Sequence, residues 1–487
     1  EHYRPTNLRV KDCSLSLHTS FASRDVKFRL RMNGAEGSIP TLLECFIRHC
    51  LNCLSSLSEE FDILPVETNN CNKSPVLHAE HSLGLEGWCM KNVYHYCYNV
   101  LMEQYISKVN NKPVKINMDN CEEVNRLLMG ALLINPDVAT FWNKRREMYS
   151  KRFLKFFDEM KFTKVLLSRK SKCNDAFAYR KWLLERYWSV LVLDERPVGN
   201  QCLRIAATAE VELSVTHGCA QKSPNNYHAW THRIWFMKQM ARHTSPGICL
   251  YLFMGELKFS EAWISTNVSD HSGLHYRQFA LNCASLTKKG FSFLEGEERF
   301  KYTNSINAIM KNLNFEEFAT NSEREILISI LGTILEDSEQ SKVYAEFYQR
   351  ICFVLYDLLL NEELIKMYTS HEALWCHRKF VVSTFLNTIC QYFGEGEFKS
   401  GALLNVGKEF SSNITSFVKV CEDMETGEPV VKEAKMLRHH HHSVYSSPLY
   451  KAFSLNEKKF IDQRSKCGDT FALKFHKWLR FVLGFTI

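Results

Sequence analysis

The chain of 487 residues has no apolar run of about 18 or more residues, the length that a membrane-spanning helix needs. The nearest run, Ile351 to Leu360, contains Asp357. The first residues lack a signal-peptide pattern, and the 18 cysteines lack the spacing of a disulfide framework. We therefore expect no membrane span and a reducing, cytosolic compartment.

Long runs of one charge sign are also missing. The chain has 61 basic and 54 acidic residues, and its formal net charge is +7. This balance suits anionic ligands or an acidic partner surface, and it is too weak to indicate nucleic-acid binding. A hydrophobic content of 45% is sufficient for a sizeable core.

The motifs of self-contained enzymes are missing as well. We find no Gly-rich phosphate loop, nucleophile elbow or paired metal motif. Cys50 and Cys53, with Cys45 and His49 nearby, have the spacing of half a zinc site, but no second half follows. Cys50 also lies on an apolar helical stripe, which favours buried thiols. The chain's own residues therefore predict no metal site.

One cluster contains the residue types of a hydrolase. Asp270, His271 and Ser272 could form a triad, and His271 and His275 could bind a metal from one helix face. However, an Asp or Ser at the start of a helix is expected to cap it. The hypothesis of an independent metal hydrolase stays open, and it predicts zinc in the purified chain.

A short phrase recurs instead, an aromatic residue followed three residues later by Arg. Clear copies and altered copies share this interval, and we interpret them as one structural repeat signature. Its members are Trp142 and Arg145, Phe177 and Arg180, Trp230 and Arg233, Leu274 and Arg277, Trp375 and Arg378, and Leu473 and His476.

The flanks of the phrase predict a helix with a loop before it. Asn135 and Pro136 precede Trp142, and the segment 223–226 precedes Trp230; Asn suits a helix cap and Pro the first helical position. Apolar residues at helical spacing follow each Arg. The steps between successive positions of the Arg, 35, 53, 44, 101 and 98 residues, suit helix-turn-helix repeats with insertions.

Residues three apart share one helix face, so the aromatic residue can pack between helices. The Arg can then reach loop carbonyls or acids of an adjoining repeat. Consensus residues of repeats commonly serve packing between neighbours, and we expect this role for the pair.

The chain divides by pattern into three parts. We expect an irregular arm at 1–40, N-terminal helices at 41–117 with an extended connection at 59–82, and repeats at 118–487. Insertions at about 288–350 and 394–450 interrupt the repeats; the first contains a predicted helix from Ile326 to Leu335. The second holds four histidines at 439–442, which we interpret as a solvated linker.

Several segments of the repeats and of the N-terminal part resemble the protein prenyltransferase alpha subunits. Residues 135–147 resemble the first repeat of the Rab geranylgeranyltransferase alpha subunit, and 226–233 the third repeat of the farnesyltransferase alpha subunit. The segments 71–76, 83–89, 268–277 and 371–378 are similar to the alpha subunit of type 3 geranylgeranyltransferase. The resemblance covers about 60–390 and 460–480, and leaves out the arm and the insertions.

The resemblance implies an all-α fold, a crescent-shaped superhelix of antiparallel helix pairs that is tetratricopeptide-like. It further implies a beta subunit of the Rab geranylgeranyltransferase type, which would carry the catalytic zinc. Geranylgeranyl diphosphate would be the co-substrate, and the acceptor would be the C-terminal cysteine of a protein such as a farnesylated SNARE. The alternative is a scaffold that keeps the fold without the chemistry.

The resemblance also suggests site residues. A family lysine five residues before the second-repeat aromatic residue falls at Lys172, which would stabilise charge on the departing diphosphate. The Asn-Tyr-His of the third repeat, which would bind substrate, matches Asn226, Tyr227 and His228.

Three positions depart from the family pattern. Asn174 stands where a tyrosine is expected, Phe177 replaces Trp, and His476 replaces Arg. Contacts to the peptide substrate are therefore expected to differ, and the last repeat is expected to act as a cap.

Overall fold

The structure is a computed structural model that describes residues 60–67, 76–79, 81–106, 113–192, 198–244, 246–286, 296–310, 339–393 and 448–482. Three short strands come first and form a sheet of order β1-β3-β2. They are β1 (Glu60–Leu64), β2 (Val76–Ala79) and β3 (Ser82–Glu86). The sequence pattern did not predict this sheet, because strands of four or five residues are too short to show alternation.

Helices make up most of the described chain. They are α1 (Gly87–Val100, continued by a π-helical turn Leu101–Ile106), α2 (Cys121–Ile134), α3 (Ala139–Ser150), α4 (Phe156–Arg169), α5 (Asn174–Val192), α6 (Val198–Lys222), α7 (Tyr227–His243), α8 (Pro246–Thr266), α9 (His271–Leu286), α10 (Gly296–Met310), α11 (Glu339–Met367), α12 (Glu372–Phe393), α13 (Pro448–Lys466) and α14 (Thr470–Val482).

The chain consists of two compact units. The first consists mainly of the strands with α1 and α2, whose apolar faces bury residues such as Cys97, Leu101 and Leu128. The second consists mainly of Asn135–Ile487 and contains α3 to α14. It is an all-helical repeat solenoid, as the Trp-to-Arg spacing predicted.

Within the second unit, helices pair through short turns. The turns 170–173, 223–226, 267–270 and 368–371 each have four residues, and they join α4 to α5, α6 to α7, α8 to α9 and α11 to α12. A turn this short makes the two helices antiparallel neighbours. The long segments fall between pairs, so the unequal steps between repeats reflect variable links around a constant hairpin.

The helix starts differ in how they are capped. Asn226 caps α7, since its side-chain oxygen accepts a hydrogen bond from the Ala229 N–H at 3.2 Å. The expected cap at Asn135 is wrong, because α3 begins only at Ala139 and Val138 precedes it without a side-chain cap. The carbonyl of Pro136 instead accepts a hydrogen bond from the Trp142 indole at 2.8 Å.

Some sequence predictions fall on residues outside the described ranges. These are the arm 1–40, the cysteines at 45–53, the helix Ile326–Leu335 and the histidines 439–442. Of the first predicted insertion, the described parts are α10 and the start of α11.

Candidate functional site

The repeat arginines are buried and pair with acids on the next helix pair. Arg233 on α7 contacts Glu256 on α8 through Nε and Nη2, at 2.7 and 2.8 Å from the two carboxylate oxygens. Arg277 pairs with Asp357, 80 residues further on, but its Nε and Nη2 both face the same carboxylate oxygen, Oδ1. The full series is Arg145–Glu159, Arg180–Glu212, Arg233–Glu256, Arg277–Asp357 and Arg378–Glu457.

Each of the first four acids also accepts a hydrogen bond from the residue just before the next repeat arginine. Tyr179 donates to Glu159 at 2.7 Å, and His377 lies 2.7 Å from Asp357. His232 lies 2.9 Å from Glu212, and Tyr276 donates to Glu256. In all four cases the acid lies 20 residues before its Tyr or His. The result is a series of buried Arg–acid–Tyr/His groups, one at each junction between these pairs, and together with Arg378–Glu457 we call it the arginine ladder.

The arginines also hold the first helix of their own pair. Arg233 Nη1 donates to the Leu213 carbonyl at 2.7 Å and to the Thr216 hydroxyl at 2.8 Å. Arg180 and Arg277 make the equivalent contacts, to a carbonyl 20 residues earlier and to a hydroxyl 17 residues earlier. One guanidinium therefore connects three helices.

The ladder keeps Glu212 and Asp357 charged. Burial opposes ionisation of Glu212, but Arg180 and His232 outweigh it and lower the pKa of Glu212 to about 2. Asp357 is held in the same way by Arg277 and His377, and its pKa is lowered to about 2. Buried charges of this kind are tolerated because they are paired and hydrogen-bonded.

The last link is different. Phe475 stands before His476, where the other pairs have Tyr or His, and it cannot donate a hydrogen bond to Glu457. Burial raises the pKa of Glu457, and Arg378 does not fully compensate. Because its arginines and acids are buried and pair with one another, we interpret the ladder as structural.

The turns before the second helices form a second feature, which we call the loop edge: segments 135–138, 170–173, 223–226, 267–270 and 368–371. Neighbouring turns contact one another along it. Ser171 and Ser223 hydroxyls lie 2.7 Å apart, and Ser269 Oγ lies 2.7 Å from His371 Nδ1. Since the helix N-termini that follow carry partial positive charge, this edge favours anions.

Lys172 lies on the loop edge, two residues before α5. It is exposed, and its ammonium donates to the Pro224 carbonyl at 3.0 Å. Lys170, two residues earlier, instead forms an ion pair with Asp137. A lysine ammonium has three N–H donors. The hydrogen bonds and ion pairs of the described residues give Lys172 no acid partner, so it can meet an anion that Lys170 cannot.

The other three predicted site residues lie beside Lys172 at the start of α7. Tyr227 is 64% exposed, and its ring centroid is 5.9 Å from that of the half-buried His228. Asn226 is fully buried and donates to the Ser171 carbonyl at 2.7 Å. The turn that carries Lys172 is thus bonded to turn 223–226, which leads directly into Tyr227 and His228.

The hydrolase cluster has another arrangement. Asp270 accepts hydrogen bonds from the Trp230 and Trp263 indoles, at 3.2 and 3.0 Å, and from the Gly273 N–H, so it caps α9. His271 is exposed. Among the residues that the structure describes, no group of three or more His, Cys, Asp and Glu could hold a metal ion. Because the two indoles and the Gly273 N–H occupy its carboxylate, Asp270 is not available as a triad acid.

In the described part of the chain, none of the helices combines the length and apolarity required to cross a bilayer.

The sequence analysis did not predict the acids of the ladder, although a constant spacing to the repeat arginines marks four of them. Glu159, Glu212, Glu256 and Asp357 each stand 21 residues before a repeat arginine. At the corresponding place before Arg145 stands Val124, which is buried and apolar. Because no repeat arginine precedes Arg145, no acid is needed there.

Comparison with known families identifies the repeats. Residues 156–187, 209–240 and 253–284 match the family described as "Protein prenyltransferase alpha subunit repeat". Each match covers one helix pair of the solenoid, and each begins three residues before a ladder acid, Glu159, Glu212 or Glu256. The pairs α11–α12 and α13–α14 lie outside the matches but carry the same arginine-to-acid contacts.

Individual proteins are also similar to this chain beyond the three matched repeats. "Protein prenyltransferase alpha subunit repeat-containing protein 1-A" of Xenopus laevis is 30% identical over 332 residues, which are 66% of this chain and 67% of that protein. The 1-B protein of the same organism is 26% identical over 454 residues, 88% of this chain and 94% of that protein. The Homo sapiens protein 1 is 29% identical over 329 residues, covering 66% and 72%.

Proposed function

The chain belongs to the family of protein prenyltransferase alpha subunit repeat-containing proteins, and from this premise we propose that it is the alpha subunit of a heterodimeric protein geranylgeranyltransferase. The observation that supports the proposal is the position of Lys172 on the loop edge, with its ammonium bonded to the Pro224 carbonyl, three residues before Tyr227 at the start of α7. These are the positions that the resemblance to prenyltransferase alpha subunits assigns to diphosphate and substrate.

In the proposed reaction, a thiolate at the C-terminus of a target protein attacks C1 of geranylgeranyl diphosphate. The bond between C1 and the diphosphate oxygen breaks, and pyrophosphate leaves with the bonding electrons. Negative charge grows on the departing oxygens, and the Lys172 ammonium would donate hydrogen bonds to them. A fixed cation at developing charge lowers the barrier, commonly by a factor of ten to a thousand or about 1–4 kcal/mol.

The partner in this proposal is a beta subunit of the Rab geranylgeranyltransferase type, docked on the loop edge. Zinc, which lowers the pKa of the target thiol, would be carried by that subunit. The acceptor would be a protein with a C-terminal cysteine, such as a farnesylated SNARE. Because the nucleophile must be a reduced thiol, we place the reaction in a reducing compartment such as the cytosol.

Co-expression tests the proposal. The full chain and the beta subunit are purified through a tag on one of them, and transfer of labelled geranylgeranyl to a cysteine-terminated protein is measured. A stoichiometric complex that transfers the label supports the proposal. A stable complex without transfer indicates the scaffold alternative. Failure to form a complex contradicts both the partner and the site.

A further inference from the structure

Asn226 was expected to bind substrate, but its side chain is buried and both of its amide hydrogens are already donated within the chain. Its oxygen accepts from the Ala229 N–H at 3.2 Å. Its amide nitrogen donates to the Ser171 carbonyl at 2.7 Å and to the Cys219 carbonyl at 3.1 Å. The two hydrogens of that NH₂ group are thus used, and the residue is 0% exposed. Asn226 has no surface with which to touch a substrate.

Its hydrogen bonds act on the turn that carries Lys172. Ser171, the residue directly before Lys172, is held by Asn226 through its carbonyl and by Ser223 through its hydroxyl. The Lys172 ammonium in turn donates to the carbonyl of Pro224, two residues before Asn226. These contacts fix turn 170–173 to turn 223–226 at both the backbone and the side-chain end.

We propose that Asn226 is a positioning residue, which holds the Lys172 ammonium where the departing diphosphate forms. The inference rests on the proposed function, because it assumes that Lys172 contacts the diphosphate. A helix cap requires only an acceptor, which Ser or Asp also provides. The amide donors are needed to hold Ser171, and this second role distinguishes Asn226 from an ordinary cap.

A double-mutant cycle separates positioning from folding. In the complex with the beta subunit, kcat is measured for Asn226→Ser, Lys172→Ala and the double variant. Asn226→Ser keeps the cap and loses the amide donors. If Asn226 acts through Lys172, its effect on kcat disappears once Lys172 is alanine, and the double variant equals Lys172→Ala. If the two losses multiply, Asn226 acts elsewhere and the proposal is overturned.

A second measurement does not depend on activity. The full chain is treated with an amine-acylating reagent, and mass spectrometry gives the rate at Lys172 relative to Lys170. Asn226→Ser should raise this ratio severalfold, because the released ammonium becomes more accessible. An unchanged ratio overturns the positioning role.

The kcat cycle and the acylation ratio together distinguish a failure of the proposed function from a failure of the positioning role. If Lys172→Ala leaves kcat unchanged, the proposed function fails, and the acylation ratio still decides the positioning. If Asn226→Ser does not fold, Ser223→Ala replaces it, since it removes only the hydroxyl contact to Ser171. We expect the same direction with a smaller effect, and no change in either measurement contradicts the proposal.

Discussion

Arg180 and Glu212 lie on consecutive helix pairs and form an ion pair that is completely buried. His232 completes the site by a hydrogen bond to the same carboxylate. Because each of the first four acids of the arginine ladder is shared by the arginine of one pair and the Tyr or His of the next, these adjacent pairs are held in one register. The loop edge depends on that register, since its turns belong to different pairs.

Removing one charged group of the ladder should destabilise the fold. We predict that Glu212→Gln lowers the free energy of unfolding by about 3 kcal/mol or more, because Arg180 is left buried without its counterion. Chemical denaturation at neutral pH measures the change. Glu210→Gln is the matched control on the same helix; Glu210 is exposed, and its change should stay within about 0.5 kcal/mol. Equal effects of the two substitutions would contradict the ladder's role.

The ladder also predicts a pH dependence. Burial lowers the pKa of His232 below its ordinary 6.5, and Glu212 offsets this only in part. As the pH falls below about 6.5, His232 takes up a proton in the unfolded chain but stays neutral in the folded chain. Acidification through this range therefore destabilises the fold. His232→Tyr keeps a donor to Glu212, as Tyr179 does for Glu159, and removes the titration. Unfolding measured from about pH 7 to 5 should show a shallower loss for the variant; parallel curves would refute this.

Two helical glycines should respond in opposite directions to alanine. A Cβ at Gly273 would lie 2.6 Å from Trp263 Nε1 and 2.9 Å from Asp270 Oδ2. Gly273→Ala should therefore destabilise by about 1–3 kcal/mol through overpacking. At Gly255 a Cβ meets nothing within 4 Å, and Gly255→Ala should stabilise by about 0.5–1 kcal/mol. Thermal denaturation of the two variants tests the pair, and a stabilised Gly273→Ala would contradict the packing.

Thiol labelling should follow burial. Of the cysteines in the described ranges, Cys376 and Cys467 are exposed. Burial raises the pKa of both Cys97 and Cys219 to about 12, which suppresses the reactive thiolate. We predict that brief maleimide treatment of the native chain labels Cys376 and Cys467 well before Cys97 and Cys219, as peptide mass spectrometry would show. Rapid labelling of Cys97 would mean that the first unit opens readily.

The sequence was sufficient to predict the helix pairs, because the Trp-to-Arg interval lies within one helix and is unaffected by insertions. It did not reveal the ladder partners. Arg145 and Glu159 are 14 residues apart, whereas Arg277 and Asp357 are 80 apart, since the link between pairs varies in length. For the first four acids the constant spacing is instead the 20 residues to the Tyr or His of the same pair, a pattern that is present in the sequence but whose meaning follows only from the contacts.

The candidate site was only partly predictable. Motif position selected Lys172, Tyr227 and His228 as candidates; the fold places Lys172 on the loop edge and the other two in the first turn of α7, directly after the turn 223–226. Position could not distinguish the exposed Tyr227 from the buried Asn226 next to it, because the direction of a side chain at a helix start depends on the neighbouring turn. Nor could it show that Asp137 neutralises Lys170 and leaves Lys172 without an acid partner.

The central claim is that this chain supplies one cation to a reaction completed by a beta subunit. Its most direct test is the rate of geranylgeranyl transfer by the complex carrying Lys172→Ala, with Lys170→Ala from the same turn as the control. We predict that Lys172→Ala lowers kcat by about tenfold or more, while Lys170→Ala transfers at close to the unmodified rate. Transfer by the Lys172→Ala complex at the unmodified rate would contradict the account.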